Sequence, residues 1–213
     1  IGASFAGART LVAMKHVGLN VAADPLMTLT YTGIKGGLVL VVADDPAMHS
    51  SQNEQDSRHF GRFGKFPILE PSNSQEAKDM VKIALEISEQ FDTPVILRTT
   101  TRVAHGESLV SLETRKESEL SLGFDKNNQK YVMIPAYAKK RHTFVEERLK
   151  KLEAYANESP LNQEEINDKK IGFIVSGITY EYCKEVYPNA SYLKLGLTWP
   201  LPAQKIKNFA KKV

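Results

Sequence analysis

Cysteine is almost missing from this sequence, with Cys183 the single example in 213 residues. One thiol excludes a disulfide framework, a thiolate zinc site and a cysteine-held cluster within these residues. Such usage fits a reducing compartment, and a cytoplasmic location is expected. Tryptophan is equally scarce: Trp199, between Thr198 and Pro200, is expected to pack at a strand-to-helix junction. No apolar run approaches the roughly 18–20 residues that a transmembrane helix needs, so no membrane partner is expected. A dominant charge is lacking too. Lys and Arg number 28 against 25 Asp and Glu, and the resulting +3 is too mild to imply nucleic acid. The hydrophobic share of 42% is ordinary for a globular chain and argues against global disorder. At roughly 100–200 residues per domain, the length allows one domain and part of another. The first residue is Ile1, and Ile1–Ala8 reads as the tail of a helix, so a piece of a longer chain is expected.

What is present is a rhythm. Thr10–Met14 is a short apolar run of strand type, followed by a helical pattern from about Val17. Asp24-Pro25 interrupts it, with Asp24 placed to cap a new helix and Pro25 at its first position. Gly37–Ala43 is a continuous apolar run, the mark of a strand covered on both faces. Pro67–Leu69 and Pro94–Leu97 follow as strands. Between them Ser72-Asn73-Ser74-Gln75 supplies caps for a helix to about Phe91, with Ala77, Met80, Val81, Ala84 and Leu85 on one face. Strand alternating with helix predicts an α/β fold: a mostly parallel sheet with helices on both faces.

Composition shifts near Glu113. The stretch 114–169 is rich in charge, and Thr143–Ala156 places Val145, Leu149, Leu152 and Ala156 on one helical face. Lys139, Lys140, Arg141, Lys150 and Lys151 make it basic, but Glu146, Glu147 and Glu153 are interleaved and no aromatic platform accompanies them. A solvated connecting helix is expected. At Lys170 the rhythm resumes: Ile171–Val175 and Ser191–Leu195 are strands, and Pro200 and Pro202 open a last helix. Three units are therefore expected, an α/β domain over 1–113, a charged helical linker over 114–169 and the first half of a second α/β domain over 170–213.

Open α/β sheets bind ligands at the carboxyl ends of their strands. Here those ends carry Lys15-His16, Asp44-Asp45, Glu70 and Thr99-Thr100-Thr101-Arg102. The wholly polar run His49–His59, long for such a connection, is either a binding loop or a solvated surface loop with helix caps. Standard templates fail. His49 and His59 with Glu54 and Asp56 match no metal-ligand spacing. No Gly-x-Ser-x-Gly elbow is present. Gly33-Ile34-Lys35-Gly36-Gly37 precedes a strand and is a turn, not a dinucleotide cradle. Ser176-Gly177 follows a strand and reads as a tight turn into a helix, with backbone N–H groups that could touch a phosphate. Cys183, inside a predicted helix, is expected to pack.

Longer strings carry more than any motif. GASFAGARTLVAMKHVGLNVAADPLMTLTYTG, VVADDPAMHSSQNEQDSRHF, LEPSNSQEAKDMV and VILRTTTRVAH cover nearly half of the chain. In them the sequence resembles the thiamine-diphosphate-dependent 2-oxoacid:ferredoxin oxidoreductases, in particular the alpha subunits of the indolepyruvate branch. Residues 171–213 resemble the opening of that family's transketolase carboxy-terminal-like domain.

The resemblance implies oxidative decarboxylation of an aryl pyruvate with coenzyme A, giving an acyl-CoA and CO2 while ferredoxin is reduced. A beta subunit and ferredoxin are the implied partners. Thiamine diphosphate with Mg²⁺ and iron–sulfur clusters are the implied cofactors of the full enzyme, with none expected on this piece. Residues 2–102 would belong to the pyrimidine-binding domain. The family's activating glutamate is expected upstream of Ile1, which leaves no catalytic residue and no metal ligand assigned here. Candidates for cofactor or substrate binding are Lys15, His16, Asn20, Asp44, Asp45, His49, Gln52, Asn53 and Arg58. Pyruvate-specific relatives carry an arginine where Asp44-Asp45 stands, and an acidic pair repels a carboxylate. Another cation must then hold the substrate, with Lys15 and His16 favoured ahead of Arg58, or the aspartates face the scaffold. Asp45-Pro46-Ala47 itself reads as a capped helix start. The rival expectations are a different 2-oxoacid as substrate, or a non-catalytic α/β module that holds partner domains.

Overall fold

The computed structural model describes residues 1–114 and 123–213. In chain order its elements are α1 (Gly2–Phe5), β1 (Thr10–Lys15), α2 (His16–Val21), α3 (Ala23–Thr32), β2 (Leu38–Asp44), α4 (Arg58–Gly64) and β3 (Ile68–Leu69). There follow α5 (Ser74–Phe91), β4 (Val95–Thr100), α6 (Thr101–Ala104), α7 (Asn128–Tyr131) and α8 (Pro135–Glu158). The chain continues through β5 (Asn162–Glu165), β6 (Asp168–Ser176), α9 (Ile178–Val186), β7 (Ala190–Leu195), β8 (Leu197–Trp199) and α10 (Ala203–Ala210).

Five strands form the larger sheet in the order β1-β2-β4-β3-β8, all parallel except β8, which runs antiparallel to β3. Alternation along each strand divides its residues between two cores. Leu38, Leu40, Val42 and Ile96 meet Leu19, Leu26, Leu29 and Phe66 on one face. Val39, Val95 and Leu97 meet Met80, Ala84 and Ile87 of α5 on the other. Both faces are thus covered, as the unbroken apolar run of β2 requires. The smaller sheet has the order β5-β7-β6, and α10 covers Leu193 and Leu195 of β7 with Phe209.

Helix starts follow their residues in one case and not in two others. Asn73 caps α5, its side chain accepting from Glu76 N at 3.0 Å, while Ser72 N donates to the Glu76 carboxylate at 2.8 Å. Asp24 does not cap α3. The helix begins two residues earlier than Pro25, at Ala23, because Ala22 serves both as the C-cap of α2 and as the N-cap of α3, which leaves Asp24 inside the first turn. Asp45-Pro46-Ala47 opens no helix. Ala47 and Met48 lie in the left-handed region, at φ 67° and 55°, and turn the chain sharply.

The charged middle stretch corrects the expectation of a solvated connector; its residues 115–122 lie outside the described ones. Val145, Leu152 and Ala156 of α8 are buried, and Leu152 and Ala156 share the core of β2, β4 and α5. Arg148 is buried with them. Its Nη1 donates to the Asp92 carbonyl at 2.7 Å and its Nη2 to the Thr30 carbonyl at 2.8 Å. Arg141 donates to the Tyr31 carbonyl at 2.6 Å, and Lys130 to the Ile34 carbonyl at 3.0 Å. Basic side chains thus cap the carboxyl ends of α3 and α5, where the helix dipole favours positive charge. Burial lowers the Arg148 pKa to about 10, still above neutrality. The smaller sheet is likewise joined to the larger one. β8, in the last of the three expected units, pairs with β3, and Lys194 of β7 pairs with Glu76 of α5.

Candidate functional site

Three neighbouring strands end in charge on the same side of the sheet. Leu40-Val42-Asp44, Ile96-Arg98 and Ile68-Glu70 each follow the two-residue period of one face, apolar where helices cover it and ionic where the strand runs out. Arg98 Nε donates to Asp44 Oδ2 at 2.6 Å and Arg98 Nη1 to Glu70 Oε2 at 2.8 Å. Asp44 also accepts from Ser57 N at 2.9 Å and from the Ser57 hydroxyl. All four residues are buried. A buried carboxylate is tolerable when it is paired and hydrogen-bonded, and Asp44 meets both conditions.

Outside this triad stands Arg58, 45% of its side chain exposed, gripping Asp56 in a two-pronged pair at 2.8 and 2.7 Å. Burial pushes the Asp56 carboxyl upward. Hydrogen bonds from Arg58 and the charges of Arg58 and Arg98 outweigh it and bring the pKa to about 2. Arg58 Nε lies 3.9 Å from Glu70 Oε1.

A pocket of about 400 Å³ opens over this ladder of charge. Its floor is Glu70, Arg98 and Thr100, and its rim carries His49, Arg58 and Arg102. The far wall is the amino end of α9, beginning at Ser176-Gly177. Gly177 takes φ 55°, and a Cβ there would stand 3.5 Å from Glu70 Oε2. The turn expected at Ser176-Gly177 is therefore what brings the smaller sheet up to the strand ends of the larger one.

The candidates named from sequence separate into three groups. His49 and Arg58 line the pocket, and Asp44 lies beneath it behind Arg98. Asp45 faces the scaffold: its carboxylate accepts from Ser51 Oγ at 2.6 Å, Ser50 N at 2.8 Å, Thr101 Oγ1 at 2.7 Å and His49 N at 3.1 Å. Those bonds hold it far below the usual carboxylate range. The rest build the loop beside β1. Lys15 Nζ donates to the Ser50 carbonyl at 3.2 Å, Asn20 to Gln55 at 2.8 Å, and Gln55 to Asn53 at 2.7 Å, while Gln52 is exposed. His16 is buried, and neither ring nitrogen has a hydrogen-bond partner among the described residues. Lys15 and His16, favoured for the substrate carboxylate, thus line another region, because the chain enters α2 at His16 and turns its ring inward. The residue missed was Arg98. It sits in a strand run that reads as core, and only its place two residues past Ile96, on the face where Val42 leads to Asp44, could have revealed it.

Among the described residues, no three His, Cys, Asp or Glu side chains come together as a metal-binding group. No helix among them is long and apolar enough to cross a membrane.

Residues 1–167 match the family described as pyruvate flavodoxin/ferredoxin oxidoreductase, thiamine diphosphate-binding. The chain is 44% identical over 218 residues to indolepyruvate oxidoreductase subunit IorA of Archaeoglobus fulgidus, an alignment covering 100% of this chain and 35% of that protein. It is 48% identical over 220 residues to the subunit of the same name from Pyrococcus horikoshii, covering 98% of this chain and 34% of that protein. The chain therefore spans about a third of the length of the curated relatives it matches. In fold it is similar to the 2-oxoglutarate:ferredoxin oxidoreductase from Magnetococcus marinus, with a TM-score of 0.71 at 13% identity. That match covers 99% of this chain and 46% of the other, whose structure holds 2-oxoglutarate, coenzyme A and succinyl-CoA.

Proposed function

Since the chain belongs to the pyruvate flavodoxin/ferredoxin oxidoreductase family, in its thiamine diphosphate-binding part, we propose that it forms the substrate side of an aryl-pyruvate:ferredoxin oxidoreductase. The reaction would be oxidative decarboxylation of indolepyruvate or a similar aryl 2-oxoacid with coenzyme A, the electrons passing to ferredoxin. The naming of its relatives as indolepyruvate oxidoreductase subunits supports the substrate class. The geometry that carries the proposal is the strand-end pocket, where arginines stand over a buried ion triad.

The acidic pair no longer argues against an anionic ligand. Asp44 is buried and paired with Arg98, and Asp45 is turned into its loop, so neither carboxylate faces a ligand in the pocket. Arg58 is then the cation that can meet a carboxylate, since half its side chain is open and its guanidinium lies on the pocket wall. Arg102 provides a second positive charge on the same rim. α9 shields the pocket on one side and lowers the local dielectric, which strengthens such pairing.

Thiamine diphosphate, when bound, supplies the electron sink for decarboxylation. The residues present fit its ring end: Thr100 Oγ1 is buried at the strand end and has no partner among the described residues, as a hydroxyl meant for a heteroaromatic ring would be. Magnesium, the iron–sulfur clusters and the activating carboxylate would come from the remainder of the protein and a partner subunit. The domain division 1–113, 114–169 and 170–213 would place this chain across the joint of two domains of that assembly.

The test is turnover by the complete protein with its partner subunit, given coenzyme A, thiamine diphosphate, Mg²⁺ and ferredoxin. Indolepyruvate-dependent ferredoxin reduction is the expected result. Reduction with pyruvate or 2-oxoglutarate and none with an aryl pyruvate would overturn the assignment.

A further inference from the structure

The helix that walls the pocket, α9, has none of its 9 residues buried. No core fixes it where it stands. Tyr180 and Lys184 tie it to Glu165 of β5, and the Cys183 carbonyl accepts from Tyr192 of β7, all within the smaller sheet. Among the described residues, Glu181 is the α9 side chain that hydrogen-bonds to the elements of the larger sheet. Its Oε1 accepts from Asn73 Nδ2 at 3.0 Å, and the Ser72 hydroxyl, which also faces Glu76, stands 3.1 Å from the same oxygen. Ser72-Asn73 lead into α5, and Glu181 sits in the first turn of α9, so the carboxylate lies where the amino ends of two helices meet. Both helix dipoles favour a negative charge there. The Asn73 amide has one orientation open to it. Its Oδ1 accepts from the Glu76 backbone N–H, which leaves its NH2 for a carboxylate that can only accept. Glu181 also neighbours Ile178 and Tyr182 on the helix, so its bond sets the roll that presents those two side chains to the pocket.

We propose that Glu181 is a positioning residue for substrate binding: by holding α9 on the amino end of α5, it sets the far wall of the pocket. The inference rests on the function proposed above and deepens it, because the two sheets then build one binding site. A wall that meets the substrate alike before and during reaction contributes to KM and not to kcat. Loss of the bond should therefore weaken binding of the aryl 2-oxoacid and leave turnover little changed.

The experiment uses the complete enzyme, with steady-state kinetics on indolepyruvate and amide hydrogen exchange over α9. Asn73→Asp keeps an oxygen for the Glu76 N–H, and Asp caps a helix as well as Asn, so α5 stays capped. It also sets a second carboxylate against Glu181 and should drive α9 away. Adding Glu181→Gln restores one donor and one acceptor with the polarity reversed. Asn73→Asp should speed exchange in α9 and raise KM by about fivefold or more, with kcat within about twofold of wild type. The double variant should return both exchange and KM to near the wild-type values. Unchanged exchange in Asn73→Asp would overturn the proposal, and so would a loosened α9 with wild-type KM or a double variant that recovers neither quantity. If Asn73→Asp fails to fold, Glu181→Ala and Glu181→Gln decide. The first should raise KM and the second should keep it, since an amide oxygen still accepts from Asn73; equal KM values would overturn the proposal. Absence of turnover with every aryl pyruvate would instead remove the proposed function, and this inference with it.

Discussion

Arg98 and Asp44 meet across adjacent parallel strands at 2.6 Å, the first inside β4 and the second ending β2, and both are buried. Arg98 therefore carries two buried carboxylates, since Glu70 hangs on its other nitrogen. Breaking a buried pair from one side strands the partner charge, at a cost of about 3–5 kcal/mol. Arg98→Ala should lower the stability of the intact protein by about that amount, measured as a shift of the denaturant midpoint. Asp44→Asn should cost less, because Ser57 can still donate to the amide oxygen. Equal midpoints for Arg98→Ala and wild type would show that the triad is solvated.

Acid should loosen the loop that Arg58 and Asp56 hold. The Asp56 carboxyl has a pKa of about 2 in the folded chain against an ordinary 3.8. A depressed carboxyl contributes stability that is complete above its unfolded value and is lost as pH falls through the folded one. The window is thus from about pH 4 down to about pH 2. Asp56→Asn removes the titrating group, so stability should fall less steeply across that window than in wild type. Identical slopes would mean that the Arg58–Asp56 pair does not survive in solution.

The basic residues of α8 should separate into two classes. Arg148 is buried and caps two helix ends, while Lys150 and Lys151 are exposed. Charge-assisted hydrogen bonds contribute about 1.5–3 kcal/mol each. Arg148→Ala should therefore destabilise by about 3 kcal/mol, and Lys150→Ala by less than about 0.5 kcal/mol. Thermal unfolding of the two variants tests this, and similar melting temperatures would return α8 to the role of a solvated connector.

The sheet was legible because its signal is local. The run Leu38–Val42, the short apolar run Val95–Leu97 and the Asn73 cap each state their structure within a few residues. The pocket was legible only in part, since its parts lie apart in the chain. Asp44 and Glu70 stood out as polar strand ends, but the cation between them sits in an apolar strand, where periodicity hides it. Arg148 was hidden for the opposite reason. In a helix full of lysine it looks like one more solvated charge, and only the carbonyls of Thr30 and Asp92, over 50 residues away, give it a different task. The turn at Asp45 misled because Asx-Pro suits a helix start and a tight loop equally, and the donors at Ser50, Ser51 and Thr101 chose the loop.

Substrate affinity should depend on Arg58 and not on Lys15. Lys15 ends β1 and Arg58 opens α4, and sequence favoured Lys15. Lys15 Nζ, however, donates to the Ser50 carbonyl and lies outside the pocket, whereas the Arg58 guanidinium lies on its wall. A charge-assisted bond to a carboxylate contributes about 1.5–3 kcal/mol, or roughly ten- to a hundredfold in affinity. Removing Arg58 also releases Asp56, leaving a carboxylate beside an anionic ligand. Arg58→Ala in the complete enzyme should thus raise KM for indolepyruvate at least tenfold. Arg58→Lys should recover part of the loss, because a lysine keeps the charge without the planar fork. Lys15→Ala should leave kcat/KM within about twofold of wild type, well under the effect of one such bond. The opposite pattern, with Lys15→Ala crippling and Arg58→Ala silent, would move the substrate carboxylate from the pocket to the loop beside β1.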